Sequence, residues 1–310
     1  MDFLYFLQTC REGVLSFLTP VFFIISEAGL MISIFAVLII YWGFDKQGGK
    51  KIICGFAVST CFSNVLKNIA CINRPWILDS RLHVEPMALS SATGYSFPSG
   101  HSTTAASCYG GIAVWKKNNK LFSVLCWIFT AAVLFSRNWL GCHTLPDVLA
   151  GFAIGFIFMI LSFYFFDRIE SSITSEIIFL VISIIISAGI IIFLLVKPYP
   201  EVFDSNNNPI VDIIAMKKEA VKNVANYLGF VVGWFLERRF INFEIPVKTK
   251  QKCIFIIPGI LIIGCLYKFI LPLAFAGLDP VLGGFLNHFI LFFSGIFLYP
   301  AVVKCLTKKC

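Results

Sequence analysis

Residues 67–75 read KNIACINRP, residues 98–101 read PSGH and residues 136–147 read SRNWLGCHTLPD. Each is a knot of charged and hydrogen-bonding side chains set at the edge of a long apolar run. Between them lie the runs 101–116 and 121–138, close to the roughly 17 to 25 residues that a helix needs to cross a bilayer. Helices are the spanning form these lengths allow, because a helix satisfies its own backbone N–H and C=O groups in hydrocarbon. The sequence around the three knots therefore predicts a bundle of membrane-spanning helices with the polar groups at helix ends.

The composition agrees. The chain is 58% hydrophobic and only 14% charged, has 34 Phe, and has a mean hydropathy of +0.85, values foreign to a soluble domain. The formal charge of +8 does not indicate nucleic-acid binding, since the basic residues are dispersed over short loops with no contiguous basic face. Eleven Cys are scattered, many in apolar runs (Cys54, Cys61, Cys126, Cys265), and no pair has the C-x2-C spacing of a zinc or redox motif. They read as small apolar residues. Cys71 and Cys142 fall inside polar clusters, and only geometry decides whether they could bridge.

Residues 3–19 contain Gln8, Arg11 and Glu12, too polar to span, and read as an interfacial helix. With Asp2 ahead, Arg11 behind and no small-residue cleavage site, the first span is expected to insert uncleaved. Apolar segments near 21–42, 52–70, 101–116, 121–138, 147–166, 177–196, 222–239, 253–271 and 283–304 predict about nine spans in an all-α polytopic bundle. The polar stretch 197–221 reads as a surface loop. Counted by alternate loops, fifteen Lys and Arg fall on one side and eight on the side of the three polar clusters, which the positive-inside rule places outside the cytoplasm. Two G-x-x-x-G pairs, Gly151 with Gly155 and Gly229 with Gly233, allow close helix approach, within the chain or in a homodimer. Glu27 in the first span and His288 in the last are costly in lipid and should face the bundle interior.

The clusters have the makings of a phosphate site. Lys67 and Arg74 are seven apart, close to two helical turns, and would share a face if the helix ran up to Pro75. Ser99 is placed as an N-cap, and the free N–H groups of the helix behind it, with Gly100 permitting close approach, suit an anion. Arg137 can clamp two oxygens at once. His143 precedes Asp147 by four residues, and Asp147 also fits a capping box with Thr144. The neighbouring His101 completes a pair of imidazoles.

Written as K-x6-R-P, P-S-G-H and S-R-x5-H-x3-D, the three clusters closely resemble the tripartite site of the type 2 phosphatidic acid phosphatase superfamily, which includes lipid phosphate phosphatases, bacterial acid phosphatases and vanadium haloperoxidases. The resemblance covers about a third of the chain. It implies a metal- and cofactor-free phosphatase of the membrane. His143 would be the nucleophile, Asp147 its orienting partner and His101 the general acid and base, while Lys67, Arg74, Ser99, Gly100 and Arg137 would bind phosphate. With the apolar segments, this divides the chain into an interfacial segment 1–20, a phosphatase core 21–170 carrying the three clusters and additional spans 171–310. The expected partner is a lipid mono- or diphosphate in a membrane, with no nucleic acid, and the expected setting is a bacterial plasma membrane with an extracytoplasmic site. A lipid phosphotransferase using the same residues, and a transporter, are the competing readings; the latter lacks paired broken helices in two halves.

Overall fold

The structure is a computed structural model that describes residues 1–200, 203 and 209–307. Among these the secondary structure is helical throughout, apart from an isolated bridge between Phe203 and Pro209. A short α1 (Asp2–Glu12) leads into α2 (Thr19–Gly43), α3 (Lys46–Ala70) and a single turn, α4 (Pro75–Leu78). There follow α5 (Gly100–Trp115), α6 (Lys120–Trp139), α7 (Leu145–Ile169) and α8 (Ile173–Val196), then α9 (Ile213–Leu236) and α10 (Thr249–Cys265). The last elements are α11 (Leu271–Ala274), α12 (Pro280–Phe293) and α13 (Tyr299–Thr307).

All nine apolar segments fall in helices, and seven helical stretches are long and apolar enough to cross a membrane. The other two are α5, which has only 16 residues, and α9, whose first turns carry Lys217, Lys218, Glu219 and Lys222. The predicted loop 197–221 is too long. Helix α9 begins at Ile213, where the Asp212 carboxylate caps it by accepting from Ala215 N at 2.9 Å. The remainder of that loop includes residues 201–202 and 204–208, outside the described residues. Helix α3 also stops earlier than Pro75 led us to expect. It ends at Ala70, and Cys71 turns the chain in the left-handed region (φ 48°).

Helix α5 is the axis of the molecule, buried along nearly its whole length by α2, α3, α6 and α7. Its contact with α7 depends on Gly151 and Gly155. A Cβ at either position would lie 2.4 Å from a carbonyl of α5, Ser99 O or Thr103 O respectively, so these backbones approach as closely as glycine permits. Gly229 and Gly233 serve α9 in the same way, against α12 and Ile296. Both pairs are therefore used inside the chain.

Helix α9 packs on α3, α8 and α12, and so joins the C-terminal helices to the rest. A charged network reinforces that junction. Lys50 pairs with Glu170 at 2.6 Å, Trp234 Nε1 donates to the same Glu170 oxygen at 2.7 Å, Lys46 pairs with Glu237 at 2.7 Å, and Arg238 and Arg239 meet Glu176. The helices alternate in direction, so this network and the three polar clusters lie at opposite ends of the bundle.

Candidate active site

The three clusters converge at one end of α3, α5, α6 and α7. The turn at Cys71 brings Arg74 back over the stretch 93–95, bent at Gly94 (φ 67°). Lys67 Nζ donates to Tyr95 O at 3.0 Å, while Arg74 donates from Nε to Gly94 O and from Nη2 to Thr93 O, both at 2.9 Å. The two cations are thus brought together by a common strand of carbonyls, not by one helix face. Cys71 and Cys142 are free thiols, and Cys71 Sγ instead accepts from Lys197 Nζ at 3.1 Å.

Ser99 is the N-cap of α5, its Oγ accepting from Ser102 N at 3.4 Å and from Ser102 Oγ at 2.9 Å. Ser99 N donates to Asp147 O at 3.0 Å, which fastens the cap to the start of α7. A Cβ added at Gly100 would meet nothing within 4 Å, so the first turn of α5 opens onto space. Free N–H groups at such a helix end favour an anion through both hydrogen bonding and the helix dipole.

Arg137 is fully buried. Its Nη1 donates to Ser26 Oγ at 2.7 Å and to Ser91 Oγ at 3.4 Å, while Nε and Nη2 have no protein partner among the described residues. A buried guanidinium with two nitrogens uncommitted is a strong anion clamp, since leaving such donors unpaired is costly.

The tight turn 140–144 presents His143. Arg74 Nη1 and Asn138 Nδ2 hold it through the carbonyls of Cys142 and His143, each at 2.9 Å. The same Arg74 Nη1 donates to His143 Nε2 at 2.9 Å, which fixes Nε2 as the nitrogen with the lone pair. On the other side of the ring, Asp147 Oδ2 is 3.8 Å from Nδ1, beyond a hydrogen bond. Ser96 fills the interval, with Oγ 2.6 Å from Asp147 Oδ2 and 3.4 Å from Nδ1. The hydroxyl has one proton to donate, and the carboxylate can only accept it, so Nδ1–H points toward the Ser96 oxygen. Asp147 also accepts from Thr144 N at 2.8 Å, and its own N–H meets Thr144 Oγ1 at 3.4 Å, so the capping box is formed by the same carboxylate. Burial, and then the fields of Arg74, Arg137 and Lys67, push the His143 pKa well below its usual range and keep the ring neutral.

His101, one residue into α5, is buried. Its Nε2 lies 3.8 Å from Glu27 Oε1 on α2, and neither atom has a hydrogen-bond partner among the described residues. The eight residues singled out by sequence therefore form one cluster. The sequence reading missed Ser96, Ser26 and Ser91, which are chemically ordinary and gain meaning only from the fold. Ser96 adjoins the segment 93–95 that receives Lys67 and Arg74, a placement that only the fold reveals.

Above this cluster lies α1. The buried Arg11 donates to Trp139 O at 2.7 Å and to His83 O, and pairs with Glu85 at 2.9 Å, while Gln8 Oε1 accepts from His83 N at 2.8 Å. The helix thus holds the loop 79–85 against the turn that presents His143.

Fold and site define a helical membrane protein with three buried cations gathered beside two imidazoles at one end of the bundle. The PAP2 superfamily profile matches residues 48–171, and that of the PAP2 superfamily phosphatase transmembrane extension matches residues 221–309. The chain belongs to the PAP2 superfamily and is a phosphatase of that class. It is similar to phosphatidylglycerophosphatase B of Bacillus subtilis (strain 168), 29% identical over 166 residues that make up 51% of this chain and 72% of the relative. It is also similar to dolichyldiphosphatase of Saccharomyces cerevisiae, 31% identical over 110 residues, 33% of this chain and 44% of that protein. The chain thus spans less than half of the second relative. No solved structure matches.

Proposed function

We propose that this protein hydrolyses a lipid phosphate or diphosphate through a covalent phosphohistidine, at a site on the extracytoplasmic face. The observation that carries the reading is the pair of Arg137 nitrogens without a partner among the described residues, on a guanidinium whose field reaches a neutral, oriented His143.

In the first step Arg74 Nη1 gives up His143 Nε2 for a phosphate oxygen, the freed Nε2 lone pair attacks phosphorus, the bond from phosphorus to the lipid oxygen breaks, and His101 gives a proton to the departing oxygen. The relay from Nδ1 through Ser96 to Asp147 stabilises the positive charge that the ring acquires. In the second step water attacks phosphorus, His101 takes its proton, and the phosphorus–nitrogen bond breaks. Lys67, Arg74, Arg137, the Ser99 hydroxyl and the backbone N–H of Gly100 stabilise charge on the non-bridging oxygens. The phosphatidylglycerophosphate and dolichyl diphosphate named for the relatives support a lipid substrate. The excess of Lys and Arg at the end of the bundle away from the site supports the sidedness.

The test is phosphate release by purified protein from a panel of phosphatidate, phosphatidylglycerophosphate, a polyprenyl diphosphate and a sphingoid phosphate, with and without vanadate. Vanadate-sensitive release from one or more of them is expected, and inertness toward all would refute the assignment. For sidedness, a cysteine at the exposed Ser80, on a background without reactive thiols, should label with an impermeant maleimide in intact cells. Labelling only after lysis would invert the topology.

A further inference from the structure

A general acid in this site faces an electrostatic obstacle. Lys67, Arg74 and Arg137 are all buried around the phosphate position, and a protonated His101 would add a fourth positive charge beside them. The groups that face or act on the His101 ring are Arg137 from α6, Arg74 ahead of α4, His143 from the turn before α7, and Glu27 from α2. Glu27 supplies the single negative charge in that set.

Its placement is built and not incidental. Ser26, the residue before it, accepts from Arg137, and three residues on the Gly29 carbonyl accepts from Tyr109 OH at 2.9 Å, so α2 is tied to both α6 and α5 on either side of Glu27. A Cβ at Gly29 would lie 2.5 Å from Val133 Cγ2, which shows how closely α2 seats against α6. Glu27 Oε1 and His101 Nε2 are each buried and unpartnered, 3.8 Å apart. A carboxylate in an apolar helix is costly unless it has a partner, and the titratable groups that act on this one, His101 and Arg137, belong to the same cluster.

We infer that Glu27 is the positioning residue for the general acid: its carboxylate holds the His101 ring and balances the imidazolium, so that His101 can carry a proton among three fixed cations. The proposal rests on the phosphatase reading above and adds to it a residue outside the three clusters. Glu27 acts only through His101. Its loss should therefore matter where the leaving oxygen needs a proton and much less where it does not.

The experiment compares wild type, Glu27→Gln and Glu27→Asp with two substrates, a dialkylglycerol phosphate and p-nitrophenyl phosphate, measuring kcat/KM against pH. Glu27→Gln keeps the shape and removes the charge. It should lower kcat/KM for the alkyl substrate by about 100-fold, the lower range of what general acid catalysis contributes, and that for p-nitrophenyl phosphate by less than about 10-fold. For the alkyl substrate the alkaline limb should move down by at least about one pH unit, because an opposite charge nearby is worth about 1–3 units and its removal lets the acid lose its proton sooner. Glu27→Asp should restore part of both effects. Equal losses on the two substrates with an unmoved limb, in a variant that elutes as wild type does from size exclusion, would overturn the inference and leave Glu27 a structural residue. If wild type itself releases no phosphate from either substrate, it is the phosphatase reading that fails.

Discussion

Arg137 is tied to the protein through one nitrogen and has two without a partner among the described residues, and on the proposed phosphate-clamping role this division explains why lysine should not replace it. An ammonium on a flexible stem could still reach Ser26 but could not offer parallel donors to two phosphate oxygens. Arg137→Lys is expected to lower kcat by at least roughly 100-fold, the cost of losing one preorganised donor. Near wild-type turnover in a steady-state assay would place the side chain outside the reaction. Charged residues such as this one were legible in the sequence because nothing but chemistry accounts for them in apolar surroundings. Ser96, Ser26 and Ser91 were not, since a serine in a helix or turn has many ordinary uses and its role here depends on which distant side chain it meets. Asp147 shows the middle case. Its capping box is local and could be read, whereas its distance of 3.8 Å from the ring, with Ser96 between, depends on how residues 93–99 are folded back.

Among the elements, the contact of α5 with α7 sets the geometry of the site, because Ser99 at the head of α5 and Asp147 at the head of α7 come from the two helices that Gly151 and Gly155 bring together. In Gly151→Ala the new Cβ would lie 2.4 Å from Ser99 O, and the backbone at the head of α5, proposed to bind phosphate, would have to shift. A misplacement of about 1 Å can cost about 100-fold in rate. The variant is expected to insert and remain folded, as judged by size exclusion, while losing activity on that scale; unaltered kcat/KM would show that the helix spacing is not critical. Helix positions were largely legible, since an apolar run of spanning length leaves few alternatives. Their ends were less so. Pro75 suggested that α3 would continue to Arg74, but the helix stops at Ala70 and Cys71 reverses the chain, a tertiary choice favoured by the carbonyls of 93–95 that receive Lys67 and Arg74. Helix α9 starts before the apolar run does, because Asp212 caps it and Met216 packs against Tyr95 and Val211 at the edge of the site.

Over the whole molecule, the C-terminal helices are held to the rest by charges at the end of the bundle remote from the site. Glu170 is about 35 Å along α7 from Asp147. It partners Lys50, Arg238 and Trp234, and Lys50 has only 3% of its side chain exposed. Glu170→Ala would strand that ammonium, a loss of about 3–5 kcal/mol for a broken buried pair. A clearly lower unfolding temperature in detergent is expected, with kcat per folded molecule retained at low temperature; an unchanged melting temperature would show that the network contributes little. Pairing of this kind was invisible in the sequence, where the same residues served only to mark the cytoplasmic side. The proposed chemistry turns on the identity of the nucleophile. Purified wild type, His101→Ala and His143→Ala should be mixed with substrate carrying labelled phosphate and quenched rapidly without acid. The label is expected on protein in His101→Ala, where a phosphohistidine forms slowly and lacks the base for its hydrolysis, and is expected to be absent in His143→Ala. A labelled adduct that persists in His143→Ala and vanishes in His101→Ala would contradict the central claim.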